Sequence, residues 1–263
     1  MKTVIVIPAR MGSTRFPRKP LAKVLGHALL YRTWSIGRAV EGVDQVVVAT
    51  DSTEIRDFAE SFGAKVIMSQ SACENGTERV WDTINQLSDR PDVSINLQGD
   101  AVLTPPWVIQ AVVDFMRENP NVQMATPATQ LSLPQYEEFV ASKAGGRVSG
   151  TLVVFDKHYR ALYFSKGLIP HIRDRKHLVA GAPLYRHIGL YGYRSSLLAQ
   201  YVQLPPTPLE KLEQLEQLRV LENGMPIHIV PVDYRGRSHW SIDNPEDVAI
   251  AENIIKRDGE LVL

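Results

Sequence analysis

The first half of the chain alternates short, continuous apolar runs with stretches whose apolar residues recur at helical spacing. The apolar runs cover residues 4–7, 46–48, 66–68 and 93–97. Strands that are apolar on both faces are typical of a parallel sheet covered by helices on its two sides. Helical stripes follow at 55–62, with Asp51 or Ser52 as the cap, and at 107–116. This alternation predicts an α/β fold with a doubly wound, mostly parallel sheet.

Residues 131–203 follow a different pattern. Strand-like runs at 152–155, 161–164 and 188–193 lack long helices between them. We therefore expect one domain over residues 1–263, with a smaller, partly antiparallel lobe inserted at about 131–203 that supplies a dimer surface.

Two helices are predicted near the end of the chain. Thr207, Pro208 and Glu210 have the spacing of a capping box with proline at the first helical position. Leucines at 212, 215, 218 and 221 continue that helix until Asn223-Gly224 ends it. Residues 244–247 start the last helix, whose apolar face consists of Val248, Ala251, Ile254 and Ile255.

The charge and cysteine content exclude several classes of protein. Lys+Arg and Asp+Glu both number 29, so the chain lacks the positive field that broad binding to nucleic acid or to a membrane surface requires. Cys73 is the one cysteine, which rules out an intrachain disulfide and a thiolate zinc site. The first apolar run is too short for a signal peptide, and no stretch approaches the ~20 apolar residues of a spanning helix. We therefore expect a cytoplasmic protein.

A cluster of cations directly follows the first predicted strand. Arg10, Arg15, Arg18 and Lys19 lie in one loop with a glycine and two hydroxyl residues. In open α/β sheets ligands bind outside the carboxyl ends of strands, and guanidinium and ammonium groups there suit a polyphosphate. This placement favours phosphate binding over a merely solvated basic loop. The chain lacks G-x-G-x-x-G and G-x-x-x-x-G-K-[ST], which argues against dinucleotide dehydrogenases and P-loop enzymes.

Two aspartates are candidates for a magnesium site. Asp100 follows the apolar run at 93–97, and Asp243 immediately precedes the last helix. Mg²⁺ is usually held by one or two carboxylates together with phosphate oxygens and water. Alternatively, Asp100 is a turn residue and Asp243 only favours the helix N-terminus. The spacing does not decide between these interpretations.

The segment NGTER at residues 75–79 also has two interpretations. Its glycine, hydroxyl and charged groups suit contact with a base or a phosphate. A capping box between Asn75 and Glu78 explains two of the five residues without any ligand.

A polar and aromatic strand face is a candidate for acceptor binding. His187, Tyr191 and Tyr193 share this face with a glycine, which lets another group approach closely. The face suits an acidic sugar or, equally, a dimer surface. Glu216 and Gln217 lie among leucines, where solvent-exposed helix positions are the default interpretation.

Several segments along nearly the whole chain form a recognisable series. In order they are IPARMGSTRFPRKPL, VVVATD, NGTERV, NLQGD, ALYFSK, RHIGLYGYR, PTPLEKLEQLEQLRVLENG and SIDNPED. Each is weakly diagnostic alone, but in this order and spacing the series resembles the 3-deoxy-manno-octulosonate (Kdo) cytidylyltransferases, the CMP-Kdo synthetases. The resemblance implies a sugar-nucleotidyltransferase fold, a homodimer, CTP as donor, a small acidic acceptor and Mg²⁺ as cofactor.

The resemblance also implies roles for individual positions. Nucleotide binding falls to Ala9, Arg10, Ser13, Arg15, Lys19, Thr77, Arg79 and Gln98, of which the residues from Arg10 to Lys19 hold the triphosphate. The implied metal ligands are Asp100 and Asp243, and the implied catalytic set adds Arg10, Arg15 and Lys19 to them. The residues implied to meet the acceptor, within or beside the mixed lobe, are Lys166, His187, Tyr191, Glu216 and Gln217.

The chain departs from the family pattern at several positions. Ala101 and Val102 replace Glu-Pro, Arg18 replaces glycine, Lys166 replaces arginine, a lysine is absent near 148–154, and Ser241-Ile242 replace Gly-Val. The phosphate and metal positions are kept, whereas lysine at 166 loses bidentate recognition of a carboxylate. The acceptor is therefore Kdo, an altered (for example amino-substituted) Kdo, another 2-keto sugar acid, or a small phosphonate or carboxylate. A nucleotide-binding homologue without catalysis is the alternative from another class.

Overall fold

The computed structural model describes residues 1–12, 15–70, 72–145 and 150–262. Its strands are β1 (Thr3–Pro8), β2 (Lys23–Val24), β3 (His27–Ala28), β4 (Gln45–Thr50), β5 (Lys65–Met68), β6 (Val93–Leu97), β7 (Met124–Gln130), β8 (Thr151–Phe155), β9 (Ala161–Ser165), β10 (Tyr185–His187), β11 (Leu190–Arg194) and β12 (His228–Pro231). Its α-helices are α1 (Leu29–Arg38), α2 (Thr53–Ser61), α3 (Gly76–Asn85), α4 (Pro106–Glu118), α5 (Leu133–Ala144), α6 (Ser195–Tyr201), α7 (Pro208–Glu213), α8 (Gln217–Glu222) and α9 (Asp247–Asp258).

A ten-stranded sheet organises the molecule, in the order β5-β4-β1-β6-β11-β7-β10-β8-β9, with β12 paired to β7. β5, β4, β1 and β6 are parallel, as the continuous apolar runs predict. From β11 to β9 the neighbouring strands pair antiparallel. The predicted α/β class with a large central sheet is confirmed, and the strands of the predicted lobe continue that sheet.

The sheet is buried on both faces, which explains why its strands are continuously apolar. Ile5 and Ile7 of β1 belong to one core cluster together with residues of α1, α2 and α4. Val4 and Val6 point to the other face, into a cluster with residues of α3, α6 and α8. Full burial of each such side chain stabilises the fold by about 1.5–3 kcal/mol.

Helix α5 was not predicted, although it lies at the start of the expected mixed lobe. Ser132 and Gln135 form a capping box at its N-terminus. Its apolar residues are sparse, and only Tyr136 and Phe139 are buried. Such weak amphipathicity gives little periodic signal, so the chain pattern alone suggested irregular structure.

The single long helix predicted from Thr207 to Leu221 is wrong. The Thr207–Glu210 capping box is present, but the helix breaks at Gln214, whose backbone adopts the left-handed conformation with φ 51°. Leu212 is consequently 81% exposed. The break turns Gln217 into the protein interior and partly buries Glu216, so the default interpretation of both as solvent-exposed helix positions is also wrong.

The other helix starts are close to expectation. Ser52, not Asp51, caps α2 through a hydrogen bond from the amide of Ile55. The last helix begins at Asp247, whose carboxylate accepts hydrogen bonds from the amides of Asp243 and Asn244. The predicted apolar face of this helix packs on Val102 and Ile242. Within the described ranges, no helix combines the length and apolar character needed to cross a membrane.

Candidate active site

Loops that carry the predicted phosphate and metal residues meet at one edge of the sheet. β1, β4 and β6 are parallel neighbours, so the segments after Pro8, Thr50 and Leu97 leave the same edge. Gly99 makes the close approach possible, because a Cβ atom there would lie 3.0 Å from the carbonyl oxygen of Pro8. β11 starts opposite the end of β6, which brings the acceptor-side residues to this edge as well.

Lys19 contacts both of the segments that carry Asp100 and Asp243. Lys19 Nζ donates to Asp100 Oδ2 at 2.5 Å and to the carbonyl oxygen of Ile242 at 3.1 Å. Arg15 Nη2 donates to Asp243 Oδ1 at 3.1 Å. Burial, and after it the negative charge of Asp100, raises the pKa of Asp243, while Lys19 and Arg15 oppose the rise. The structure therefore brings together four of the five predicted catalytic residues.

The carboxylates of Asp100 and Asp243 suit a Mg²⁺ ion whose remaining ligands come from a bound nucleotide. The Asp100 and Asp243 side chains keep 23% and 18% exposure, so each is accessible from the edge of the sheet. Among the described residues, no group of three or more His, Cys, Asp or Glu side chains is arranged to hold a metal ion. Two carboxylates completed by phosphate oxygens and water are typical of Mg²⁺ sites. The role of the two aspartates as metal ligands stays a prediction.

The remaining residues of the basic loop differ in their availability. Arg10 is exposed and forms no ion pair with any described residue. Arg18 is exposed and pairs with Glu54, and its backbone is left-handed. Ala9 is buried, and its amide donates to the carbonyl oxygen of Ala49 at 2.9 Å, which extends the β1–β4 pairing. Ser13 lies outside the described residues.

The predicted nucleotide contacts on α3 and β6 are mostly engaged within the protein. Arg79 is buried and donates to Asp51 at 2.7 Å and to Ser69 at 2.6 Å. Gln98 is partly exposed at the end of β6 and donates to Asn96 at 3.0 Å. Asn75 caps α3, as the predicted capping box requires. The Glu78 side chain, however, accepts a hydrogen bond from the amide of Glu74 and not from that of Asn75. Of these residues, Gln98 is best placed to meet a ligand.

An aromatic and polar cluster holds the predicted acceptor residues of β10 and β11. The His187 ring lies 5.5 Å from that of Tyr191 and packs edge-on against Phe164. His187 Nε2 is 2.9 Å from Thr126 Oγ1, and burial lowers the pKa of His187 to about 3. Tyr191 donates its hydroxyl hydrogen to Gln217 Oε1 at 3.0 Å. Three predicted acceptor residues are thus brought together, with a neutral histidine among them.

Glu216 joins the predicted acceptor segment to the predicted nucleotide segment. Its carboxylate accepts from the amides of Gly76 and Thr77 at 3.4 and 3.2 Å and from Thr77 Oγ1 at 2.8 Å. A carboxylate is favoured at a helix N-terminus by the unpaired amides and the helix dipole. Burial nevertheless raises the pKa of Glu216, with the hydrogen bonds from Thr77 opposing the rise.

Lys166 connects the acceptor side to the predicted metal side. Burial, and after it the charge of Arg15, lowers the pKa of Lys166, while Glu213 and Asp243 oppose the shift. Its amide donates to Glu213 Oε2 at 2.9 Å, and its Nζ lies 3.4 Å from the carbonyl oxygen of Gln214. Lysine in place of the family's arginine thus follows β9 two residues after Phe164, which packs against His187, and lies within electrostatic range of Arg15 and Asp243.

Sequence reasoning missed Glu213 as a site-building residue and named Tyr193 only as part of a strand face, without a role. Glu213 also accepts from Ser165 Oγ at 2.6 Å, which fastens the end of β9 to the end of α7. Tyr193 places its hydroxyl 3.2 Å from Thr77 Oγ1. The strand predicted through Ile188 is wrong, because the chain leaves β10 after His187 and enters β11 at Leu190; the His187 ring nevertheless lies near that of Tyr191, and nothing in the local pattern singled out Glu213.

The departures at Ala101 and Val102 have a packing explanation. Ala101 is half-buried and packs against the core cluster that contains residues of β1, β4 and β6. Val102 is 3% exposed and packs in the same apolar cluster as Ile242, the neighbour of Asp243. An apolar residue at 102 thus supports the segment that carries one of the predicted metal ligands.

Comparison with known proteins gives consistent matches over nearly the whole chain. Residues 4–227 match the family model described as cytidylyltransferase. The chain is 52% identical over 262 residues to the 3-deoxy-manno-octulosonate cytidylyltransferase of Maricaulis maris (strain MCS10), covering 100% of both chains. It is 40% identical over 254 residues to that of Chlamydia abortus, covering 97% of this chain and 94% of the relative. A solved CMP:2-keto-3-deoxy-manno-octonic acid synthetase complexed with CTP superposes with a TM-score of 0.84 at 31% identity, covering 98% of this chain and 100% of the other.

Proposed function

Because the chain belongs to the Kdo cytidylyltransferase family of nucleotidyltransferases, we propose that it transfers CMP from CTP to a hydroxyl of a Kdo-like 2-keto sugar acid. The observation that carries the proposal is the meeting of two groups of residues at one sheet edge. Lys19, Arg15 and the two aspartates form one group, and the cluster around His187 forms the other. Lys166 lies within electrostatic range of both Arg15 and Asp243 and links the two groups.

The proposed reaction is an in-line displacement at the α-phosphorus of CTP. The acceptor hydroxyl oxygen forms the new bond to phosphorus, the bond to the β-phosphate oxygen breaks, and pyrophosphate leaves as the hydroxyl proton is released. Arg10, Arg15 and Lys19 are the cations placed to stabilise the charge that develops on the departing pyrophosphate. No side chain has to form a covalent intermediate.

Asp100 and Asp243 are the residues proposed to hold Mg²⁺. When bound, the ion supplies neutralisation of phosphate charge and orientation of the reacting groups. Lys19 already lies beside Asp100 and the backbone of Ile242, so the carboxylate pair is arranged to accommodate positive charge. Because the charge of Asp100 raises the pKa of Asp243, a cation shared by the two relieves their repulsion.

For the acceptor, we propose binding by Lys166, His187, Tyr191 and Gln217. Neutral His187 and the Tyr191–Gln217 pair offer hydrogen-bonding groups to sugar hydroxyls. Lys166 offers a point charge to the acid group in place of a planar fork. Glu216 is proposed to act mainly by fixing Thr77 and the start of α3, because both of its oxygens are used there.

An acceptor screen tests the proposed function. Purified protein is incubated with CTP, Mg²⁺ and either Kdo, amino-substituted Kdo or a small phosphonate, and pyrophosphate release is followed. Turnover with Kdo or its amino derivative, and little with the phosphonate, is the expected result. UTP in place of CTP serves as the donor control. Binding of CTP without pyrophosphate release from any acid would instead identify a catalytically inactive homologue.

We also propose that the chain acts as a cytoplasmic homodimer that pairs through the mixed lobe. β9 is the terminal strand of the sheet, and Leu162 on it is 63% exposed. Val179 and Tyr159 in the same lobe are 57% and 48% exposed, so apolar surface is concentrated there. Light scattering is expected to give a dimer mass, with Leu162→Lys shifted towards monomer and Leu212→Lys unchanged. A monomeric wild-type protein would contradict the proposal.

A further inference from the structure

A cavity lies beside Arg186, on the face of β10 opposite to His187. Consecutive strand residues point to opposite faces, so Arg186 faces this cavity while His187 packs against Phe164. The cavity has a volume of about 700 Å³, which is within the range of small-molecule sites. Apolar walls and basic groups line it, among them Leu131, Phe139, Ile254, Ser238, His239 and Arg186.

Arg186 is a half-buried cation that forms no ion pair among the described residues; Glu138, a carboxylate on the cavity lining, acts on it only at longer range. Its Nε atom is buried and has no hydrogen-bond partner there. Its described hydrogen bond runs from Nη1 to the carbonyl oxygen of His239 and is long, at 3.3 Å. Burial lowers the pKa of the Arg186 guanidinium. A guanidinium removed from water is normally paired with a carboxylate or a phosphate, because an unpaired buried charge is costly.

The other arginines that line the cavity are engaged by the protein. Arg257 donates to Asp258 at 2.6 Å, and Arg237 donates to the carbonyl oxygen of Gly259 at 2.8 Å. Burial, and after it the charge of Arg186, lowers the pKa of His239 well below its usual value. The described lining carries three arginines and one carboxylate, Glu138, and this excess of positive charge favours an anion.

We propose that this cavity binds a small organic anion whose carboxylate or phosphate oxygens accept hydrogen bonds from Arg186 Nε and its neighbouring Nη group. The fork of a guanidinium matches two oxygens of such an anion. Phe139 lies 5.9 Å from the Arg186 guanidinium, so the apolar wall is next to the charged group and contacts the body of the ligand. The cavity lies on the face of β10 opposite to His187 and the proposed acceptor cluster, and the inference does not depend on the proposed function.

Calorimetric titration with benzoate and phenyl phosphate tests the proposal on the whole wild-type chain. Both anions are expected to bind with 1:1 stoichiometry, whereas benzamide, the neutral analogue of benzoate, is not. Arg186→Met is expected to weaken binding at least about tenfold, because the charge-assisted hydrogen bonds are lost. Arg257→Met, which removes a neighbouring but engaged arginine, is the matched control and is expected to stay within about threefold of wild type.

If Arg186→Met fails to fold, NMR of the arginine Nε–H groups in the wild-type protein reports directly whether an anion binds at Arg186. The Arg186 resonance, assigned with Arg186→Lys, is expected to shift on titration with either anion and not with benzamide. Saturating CTP and Kdo are expected to leave the titration unchanged. Absence of saturable binding up to about 10 mM, equal binding to Arg186→Met, or competition by Kdo would each overturn the proposal.

Discussion

Glu210 and Arg219 form a buried ion pair, and the unfolding free energy lost on breaking it can be worked out from the structure. Arg219 Nε and Nη2 donate to the two Glu210 oxygens at 2.8 and 2.7 Å, and the side chains are 3% and 10% exposed. Burial is the largest influence on the pKa of Arg219 and lowers it, but the hydrogen bonds with Glu210 and the charges of Tyr201, Glu210 and Glu78 together raise that pKa. The pair joins α7 to α8 and so fixes the break that positions Glu213, Glu216 and Gln217.

Glu210→Gln preserves the shape of the side chain but removes its charge. One donor of Arg219 then faces an amide NH₂ group, and the only carboxylate still paired with the guanidinium among the described residues is Glu78, at the longer distance of 3.5 Å. Breaking such a pair costs about 3–5 kcal/mol. For a chain of this length the melting temperature is expected to fall by roughly 10 °C. Replacing both partners with Leu and Met is expected to recover most of the loss, because no uncompensated charge stays buried.

Urea unfolding gives the free energies, and the chain offers a matched control. Glu137 pairs with Arg175 at 2.9 Å, but these side chains are 61% and 78% exposed. Glu137→Gln makes the same chemical change and is expected to cost about 0–1 kcal/mol. If Glu210→Gln destabilises the protein no more than Glu137→Gln does, the reasoning from burial is refuted.

Three further predictions concern the acceptor side. Glu213→Gln is expected to raise the KM for the acceptor roughly tenfold and to leave the affinity for CTP unchanged, because Ser165 and Lys166 lose a charged hydrogen-bond acceptor. Steady-state kinetics measures both constants, and an equal effect on the two substrates would contradict this prediction. Lys166→Arg is expected to increase kcat/KM for Kdo relative to amino-substituted Kdo, and an unchanged ratio would count against a role for Lys166 in selectivity. Burial lowers the pKa of His187 to about 3, below its unfolded value, so its contribution to stability is complete above pH 6.5 and is lost as the pH falls towards 3. Between pH 7.5 and 5.5, His187→Gln is therefore expected to lose less unfolding free energy than the wild type does, by about 1.4 kcal/mol per pH unit below pH 6.5. Urea unfolding at both pH values measures this loss, and an equal loss in variant and wild type would disprove the prediction.

The strands could be predicted because burial on both faces requires a continuous run of apolar residues, which is visible in the local sequence. Residues of β1 face a core on both sides, and a continuous apolar run is the direct consequence. Helix caps at Ser52, Asn75 and Thr207 are equally local, since each cap bonds to a residue three positions away.

The break at Gln214 could not be predicted from local pattern. The leucine spacing continues through it, but contacts from Ser165 and Lys166 hold Glu213 and divert the chain. Likewise, the spacing left the roles of Asp100 and Asp243 undecided because the residue that contacts both of their segments, Lys19, comes from a third part of the chain. Tertiary contacts decide the break and the approach of the two aspartate segments to Lys19, whereas the metal role of the aspartates stays a prediction that only the family resemblance suggested.

The central claim is that Asp100 and Asp243 act together with the cationic loop on one Mg²⁺-loaded CTP. The most direct measurement compares pyrophosphate release with CTP binding for Asp100→Asn, using Asp114→Asn on the surface of α4 as control. Loss of a metal ligand removes several kcal/mol of transition-state stabilisation, so kcat is expected to fall on the order of a thousandfold while the Kd for CTP changes less than about tenfold. A near-normal kcat for Asp100→Asn would contradict the account.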